Sequence, residues 1–232
     1  MARWPLITAI SALMLGGAAI VYAQTTAGDG SSSGAPHGQQ ERDLAASEEA
    51  MAARAAIADD PIAPKLEPAD YDVTVVFYTD YQCPFCRKVH PELNRLAEED
   101  GRVRVVYRDL PLFGAASEES ARAAIASQWQ GKHAEFNDAL MQTQGKLDSD
   151  KIRAAADRAG VDWTQLQRDL EARRSEIDEL IGRTKMQAAQ MGLQGTPALL
   201  IGPYMVPGAI NFEGLTEAVA LAREFNAETK GG

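Results

Sequence analysis

Asp80-Tyr81-Gln82-Cys83-Pro84-Phe85-Cys86 holds the only two cysteines of the 232-residue chain, with two residues between them. The apolar run Val73 to Tyr78 leads into this stretch, and a helix-like run, Arg87 to Glu99, leads out. A Cys-x-x-Cys at a strand-to-helix junction is the arrangement of a thiol–disulfide redox site. A helix N-terminus carries unpaired N–H groups and the positive end of the helix dipole. A thiolate placed there is stabilised, so the spacing predicts a depressed pKa for Cys83 and makes it the exposed nucleophile. Pro84 suits the first helical turn, where its missing N–H is not needed. Cys86, one turn further in, is expected to be more buried and to act as the resolving thiol.

Far down the chain stands Gly195-Thr196-Pro197, followed by the apolar run Ala198-Leu199-Leu200-Ile201. Taken with Cys83-Pro84-Phe85-Cys86, this pattern resembles the thioredoxin superfamily, and most closely its secreted DsbA-like branch. Arg108-Asp109-Leu110-Pro111-Leu112 and Gly131-Lys132-His133-Ala134-Glu135-Phe136 are similar to that branch too, so the likeness covers about residues 68–226. It implies an α/β, thioredoxin-like fold with an inserted all-helical domain, and a cis Pro197 that faces the cysteines with Thr196. It also implies that Thr196, Pro197, Pro84 and Phe85 contact substrate. Two departures stand out. Pro84-Phe85 lacks the histidine found between the cysteines in the family's strongest oxidants. Relatives carry a buried acid six residues before the first cysteine, where this chain has Phe77.

Composition bounds the alternatives. Hydrophobic residues make up 45% of the chain, enough for one domain, or for a domain with an insertion. The net charge of −10 gives nucleic-acid binding no electrostatic support. Zinc normally needs four ligands, and the two cysteines with His37, His90 and His133 offer no second pair at finger spacing. A c-type haem site needs His directly after the second Cys, where Arg87 stands. No metal and no cofactor is therefore expected.

The chain divides by composition. Residues 1–23 read as a signal peptide: Arg3 supplies the positive start, Leu6 to Ile20 the apolar or small run, and cleavage is placed after Ala23. An uncleaved anchor is the competing reading. Export to the periplasm or another oxidising space follows from the first. Residues 24–40 are a flexible linker, and 41–67 an N-terminal helix and Pro-rich connector. The Ala- and Glu-rich stretch 41–58 is read as a packed or frayed helix, with an oligomerisation stalk as the alternative. Residues 68–113 and 192–226 form the thioredoxin-like domain, 114–191 the helical insertion, and 227–232 a disordered tail. Pro91 is expected to kink the active-site helix, and Ser117 to cap the first inserted helix. His90 is read as structural or solvated, with a catalytic role as the alternative. Trp129, Trp163, Phe136, Leu140 and Met141 are read as core of the insertion.

The expected function is disulfide exchange with cysteine-containing exported proteins, in which a membrane or soluble redox partner resets the cysteine pair. An oligomeric isomerase or reductase using the same site is the second reading. The third is a secreted binding domain in which the Cys83–Cys86 bridge is only a staple. A bridge that closes so short a loop removes little chain entropy, which counts against the staple.

Overall fold

The computed structural model describes residues 47–230. The expected signal peptide 1–23, the linker 24–40, residues 41–46 of the N-terminal helix and residues 231–232 of the tail lie outside the described residues. The elements in chain order are α1 (Glu48–Ala58), β1 (Lys65–Leu66), β2 (Val73–Thr79), α2 (Pro84–Asp100) and β3 (Val103–Asp109). Then come α3 (Ala115–Ser127), a 3-10 turn (Gln128–Gln130), α4 (His133–Met141), α5 (Ser149–Arg158), α6 (Trp163–Ala172) and α7 (Arg174–Gln190). β4 (Ala198–Ile201), β5 (Tyr204–Pro207) and α8 (Phe212–Lys230) close the chain.

The five strands order as β1-β3-β2-β4-β5. β2 is central because its sequence allows nothing else: six of its seven residues are buried, Thr74 alone being partly exposed. A strand apolar on both faces must be covered on both. β2 and β3 run parallel, in register from Val73↔Val103 to Thr79↔Asp109, and α2 makes the crossover that a parallel pair requires. β4 returns antiparallel along the other edge of β2, with Phe77 opposite Leu199, and β5 pairs antiparallel with β4. The two-residue β1 falls in the stretch expected to be connector and pairs antiparallel with β3.

α2 starts at Cys83, carries Pro84 in its first turn, and ends at Gly101, which takes the left-handed conformation and donates to the Ala97 carbonyl. It runs unbroken through Pro91, where a kink was expected; the chain is helical on both sides of the proline. The missing N–H costs only the Arg87 carbonyl its partner one turn back. The buried face of Val89, Leu93 and Leu96 offsets that loss, each such side chain being worth about 1.5–3 kcal/mol.

The helices α3 to α7 lie between β3 and β4, as the expected insertion would. Asp148 and Asp162 cap α5 and α6, accepting from Lys151 N–H and Gln165 N–H. Phe136, Leu140 and Met141 are buried as expected, together with Ile152, Leu166 and Ile177. Trp129 and Trp163 are only partly buried, which corrects their assignment as core. Each instead stacks under a guanidinium, Arg173 at 4.5 Å and Arg153 at 5.1 Å, an arrangement that keeps the cation in water. Ser117 is not the cap of α3; that position belongs to Gly114.

A buried ion network joins the insertion to the sheet. Arg108 of β3 has no exposed side-chain surface and donates to Asp60 at 2.9 Å and to Gln187 of α7 at 2.5 Å. Arg183 of α7 holds the same Asp60 with two bonds of 3.0 Å. α8 packs Leu215, Val219 and Ala222 inward, and Arg223 bonds Asp72 and Asp100 at its far end. α8 reaches Lys230, so residues 227–230, expected to belong to a disordered tail, are helical.

Candidate active site

Cys83 is the N-cap residue of α2, in extended backbone geometry. Two bonds fix it there: its N–H donates to the Asp80 carbonyl at 3.0 Å, and its carbonyl accepts from Arg87 N–H at 3.2 Å. Its Sγ donates to the Thr196 carbonyl at 3.2 Å. The Thr196–Pro197 peptide bond is cis. β4 begins at the next residue, paired with Tyr78 at the end of β2, and this pairing carries the 195–197 loop to the start of α2. Cys83, Cys86, Thr196 and Pro197 thus meet although 113 positions separate Cys83 from Thr196. On the Thr196–Pro197 side opens a cleft of about 270 Å³, lined by these two residues with Leu193, Met205 and Pro207 and by neither cysteine.

Both cysteines are free thiols in this structure. Cys83 is 2% exposed, which corrects the expectation of an exposed nucleophile: the 195–197 loop lies against it through the Thr196 carbonyl. Cys86 is fully buried. The two thiols nevertheless differ sharply. The Cys86 thiol as donor, with the backbone N–H groups of Cys86 and Phe85, holds the Cys83 pKa well below the ordinary thiol value, against the effect of burial. Burial, and the bond it makes to Cys83, drive the Cys86 pKa far upward. The helix N-terminus thus gives one ionisable thiol and one that keeps its proton.

Pro84 and Phe85 lie on the surface, and Phe85 is 54% exposed with Lys88 Nζ 5.4 Å from its ring centre.

Sequence reading passed over the residues that hold this turn. Asp80 is buried and accepts from Gln82 N–H, Leu112 N–H, Phe113 N–H and the Ser117 hydroxyl. Gln82 in turn accepts from Leu147 N–H at 2.7 Å. Arg87 donates to the Tyr81 carbonyl at 2.8 Å and to the Thr143 and Gly145 carbonyls at 2.7 and 3.1 Å. Spacing gives no sign of Arg87 or Gln82, because their partners are backbone groups of a distant loop. His90 is buried, its Nε2 lying 3.1 Å from both Asp138 and Asn94, which is the structural role expected. Asp109 ends β3 with both carboxylate oxygens buried and unpartnered among the described residues. Burial raises its pKa to about 8, the Asp80 charge adding to the rise while the Arg108 charge opposes it. Phe77 is fully buried in the sheet.

Comparison with known proteins gives the site its context. The family described as a DSBA-like thioredoxin domain matches residues 74–220. Among solved structures, a thioredoxin-like oxidoreductase from Silicibacter pomeroyi DSS-3 is 39% identical, with a TM-score of 0.70, covering 74% of this chain and 98% of its own. A periplasmic thioredoxin-like protein from Salmonella enterica serovar Typhimurium is 27% identical, with a TM-score of 0.65, covering 75% of this chain and 97% of its own. Among curated relatives, the Na(+)/H(+) antiporter NhaA 1 of Salinispora arenicola is 31% identical over 157 residues, which make up 67% of this chain and 24% of that protein. The chain thus spans about a quarter of the length of the antiporter relatives it matches.

Proposed function

The chain belongs to the DSBA-like thioredoxin domain family, a family of thiol–disulfide oxidoreductases, and on that premise we propose that it exchanges disulfides with exported cysteine-containing proteins through Cys83 and Cys86. The observation that carries this reading is geometric: the two cysteines share the first turn of α2, with Cys83 at its N-cap and its Sγ on the carbonyl that precedes the cis Pro197. In the oxidised protein a substrate thiolate attacks the Cys83 sulfur. The Cys83–Cys86 bond breaks, and Cys86 leaves and takes up a proton, as its raised pKa favours. The substrate's second thiolate then attacks the substrate sulfur of the mixed disulfide. Cys83 departs as a thiolate, and its depressed pKa makes it a good leaving group. The substrate has lost two electrons and gained a disulfide, and the cysteine pair is left reduced. A separate redox partner removes those electrons.

Thr196, Pro197, Pro84 and Phe85 form the substrate contact in this reading. An extended segment lies along the 195–197 loop and its cleft, adding a strand beside Cys83, while Phe85 supports apolar side chains. An oxidising, periplasmic setting suits this chemistry, and the signal-like residues 1–23 supply the route. No helix among the described residues is long and apolar enough to cross a membrane.

The test is a trap. Cys86→Ser leaves Cys83 able to form mixed disulfides and removes the thiol that resolves them from the protein's side. It should accumulate covalent complexes in the exported fraction of cells, seen on non-reducing gels and lost on reduction. Cys83→Ser should trap little. Equal trapping by both variants overturns the assignment of Cys83 as the exchanging thiol, and absence of complexes with either overturns the function.

A further inference from the structure

Turn chemistry accounts for one of Asp80's four side-chain bonds, the 2.8 Å contact from Gln82 N–H two residues on. The other three come from 32, 33 and 37 positions away: Leu112 N–H at 2.6 Å, Phe113 N–H at 3.4 Å and the Ser117 hydroxyl at 2.8 Å. Asp80 is 2% exposed, and a carboxylate withdrawn from water to that degree is held only if its oxygens are satisfied. The donors divide between its oxygens. Oδ1 serves Gln82 and Ser117, whereas Oδ2 serves the two consecutive amides of Leu112 and Phe113. The Asp80 backbone carbonyl accepts from Cys83 N–H, so one residue stands between the cysteine turn and the 110–114 loop.

The side chains on those pinned amides point the other way from a folding role. Leu112 is 49% and Phe113 53% exposed, two large apolar groups in sequence on backbone that Asp80 holds, and Phe85, in the first turn of α2, is 54% exposed. The backbone is held rigidly while its side chains are left in water. That is a poor arrangement for stability and a suitable one for contact with an apolar ligand.

We propose that Asp80 is a positioning residue for protein substrates: its Oδ2 holds the Leu112–Phe113 loop as an apolar lip beside Cys83, and the lip receives an apolar side chain flanking the substrate's cysteine. The occupant is an extended segment of an unfolded cysteine-containing protein. This rests on the disulfide-exchange reading above and adds a specificity element to it. Pre-ordering the loop removes the need to order it at each encounter, which places the effect in binding.

The experiment uses the full mature chain in its oxidised form. Single-turnover oxidation is followed for dithiothreitol and for two dithiol peptides, one with Leu and one with Ser beside the first cysteine. In Asp80→Asn the Oδ1 acceptor is kept, but an amide donor faces the Leu112 and Phe113 N–H groups. The expected result is about a tenfold rise in the half-saturating concentration of the Leu peptide, the size of one or two unmade charge-assisted bonds, with the limiting rate held. The ratio of Leu-peptide to dithiothreitol rates falls by a similar factor, and the preference for Leu over Ser disappears. The double variant Leu112→Ser with Phe113→Ser changes only exposed side chains, so it tests the lip should Asp80→Asn fail to fold; it should lose the same preference. A preference that survives in the double variant overturns the lip. Equal loss toward dithiothreitol and peptide in Asp80→Asn overturns the positioning role and leaves Asp80 a support of the cysteine turn. Wild-type protein inert toward dithiothreitol would instead sink the exchange reading itself.

Discussion

The sheet and the junction between the sheet and the inserted helices are both buried, yet they are held by different physics. At the centre of the sheet, Val75, Phe77, Leu199 and Ile201 have no exposed surface and need only volume from their neighbours. At the junction the buried groups are Asp60, Arg108, Asp109, His90, His133 and Asn137, which need particular partners. Apolar contacts are non-directional and tolerate exchange of shape. Buried charges and hydrogen-bonding groups do not, since a lost partner leaves the full desolvation cost behind. The cysteine turn belongs to the second regime, because Asp80, Gln82 and Arg87 tie it to the insertion rather than to the sheet.

Near-isosteric changes should therefore be cheap in one region and costly in the other. Ile201→Leu in β4 should lose under about 1.5 kcal/mol of stability. Asp60→Asn, closer still in shape, strips the charge from a group that Arg108 and Arg183 hold. Against the upward push of burial, those two cations and Ile62 N–H bring the Asp60 pKa down to about 2. Removing one member of a buried pair costs about 3–5 kcal/mol. Denaturant unfolding of both variants at pH 7 checks the contrast, and similar losses in the two would erase the distinction between the regions.

The junction should also set the pH limits of the fold, with one limb on each side. Asp109 titrates near about 8 when folded and 3.8 when unfolded. Between those values the native state binds more protons, so stability falls as pH rises, by at most about 1.4 kcal/mol per pH unit. His133 gives the opposite limb. Burial, with His90 nearby, lowers its folded pKa to about 3 from 6.5, so stability is lost as pH falls through that window. Asp109→Asn should flatten the alkaline limb, gaining about 2 kcal/mol over wild type at pH 9 once relaxation around the charge is allowed for. Unfolding curves from pH 5 to 9 decide it: an unchanged alkaline slope would mean that Asp109 is not the titrating group.

What was legible in the sequence follows the same division. The β2 and β4 runs and the helix after the cysteines were readable because a strand buried on both faces announces itself by composition alone. The cysteine pair was readable from spacing. Thr196 and Pro197 came from resemblance, and their meeting with Cys83 depends on β4 pairing with β2, which no local pattern specifies. Arg87 looked like a residue that merely excluded a haem site. Ser117 looked like a cap, but its hydroxyl goes to Asp80 because Gly114 already starts the helix. Each missed residue bonds across a long sequence separation to a backbone group or to a single side chain, a signal with no period. Cys83 was misjudged in the same way: its place at the helix end was right, and the loop against it arrives from residue 196.

The smallest expected effect is also the most local. Arg87 reaches from the first turns of α2 to the 143–145 backbone with Nη1, while Nε holds the Tyr81 carbonyl. Arg87→Lys keeps the charge and the aliphatic stem but replaces a planar fork with a point donor, which cannot serve carbonyls on two sides at once. The loss should be about 1 kcal/mol, the worth of one or two hydrogen bonds at a partly exposed site. It should fall on the loop rather than on the sheet. Hydrogen exchange of the amides at 143–147 should speed up, including Leu147 N–H, which the neighbouring Gln82 side chain accepts. Amides of β2 and β3 should keep their rates. If sheet and loop amides accelerate together, Arg87 supports global stability, and the cysteine turn is not clamped to the insertion as a separate unit.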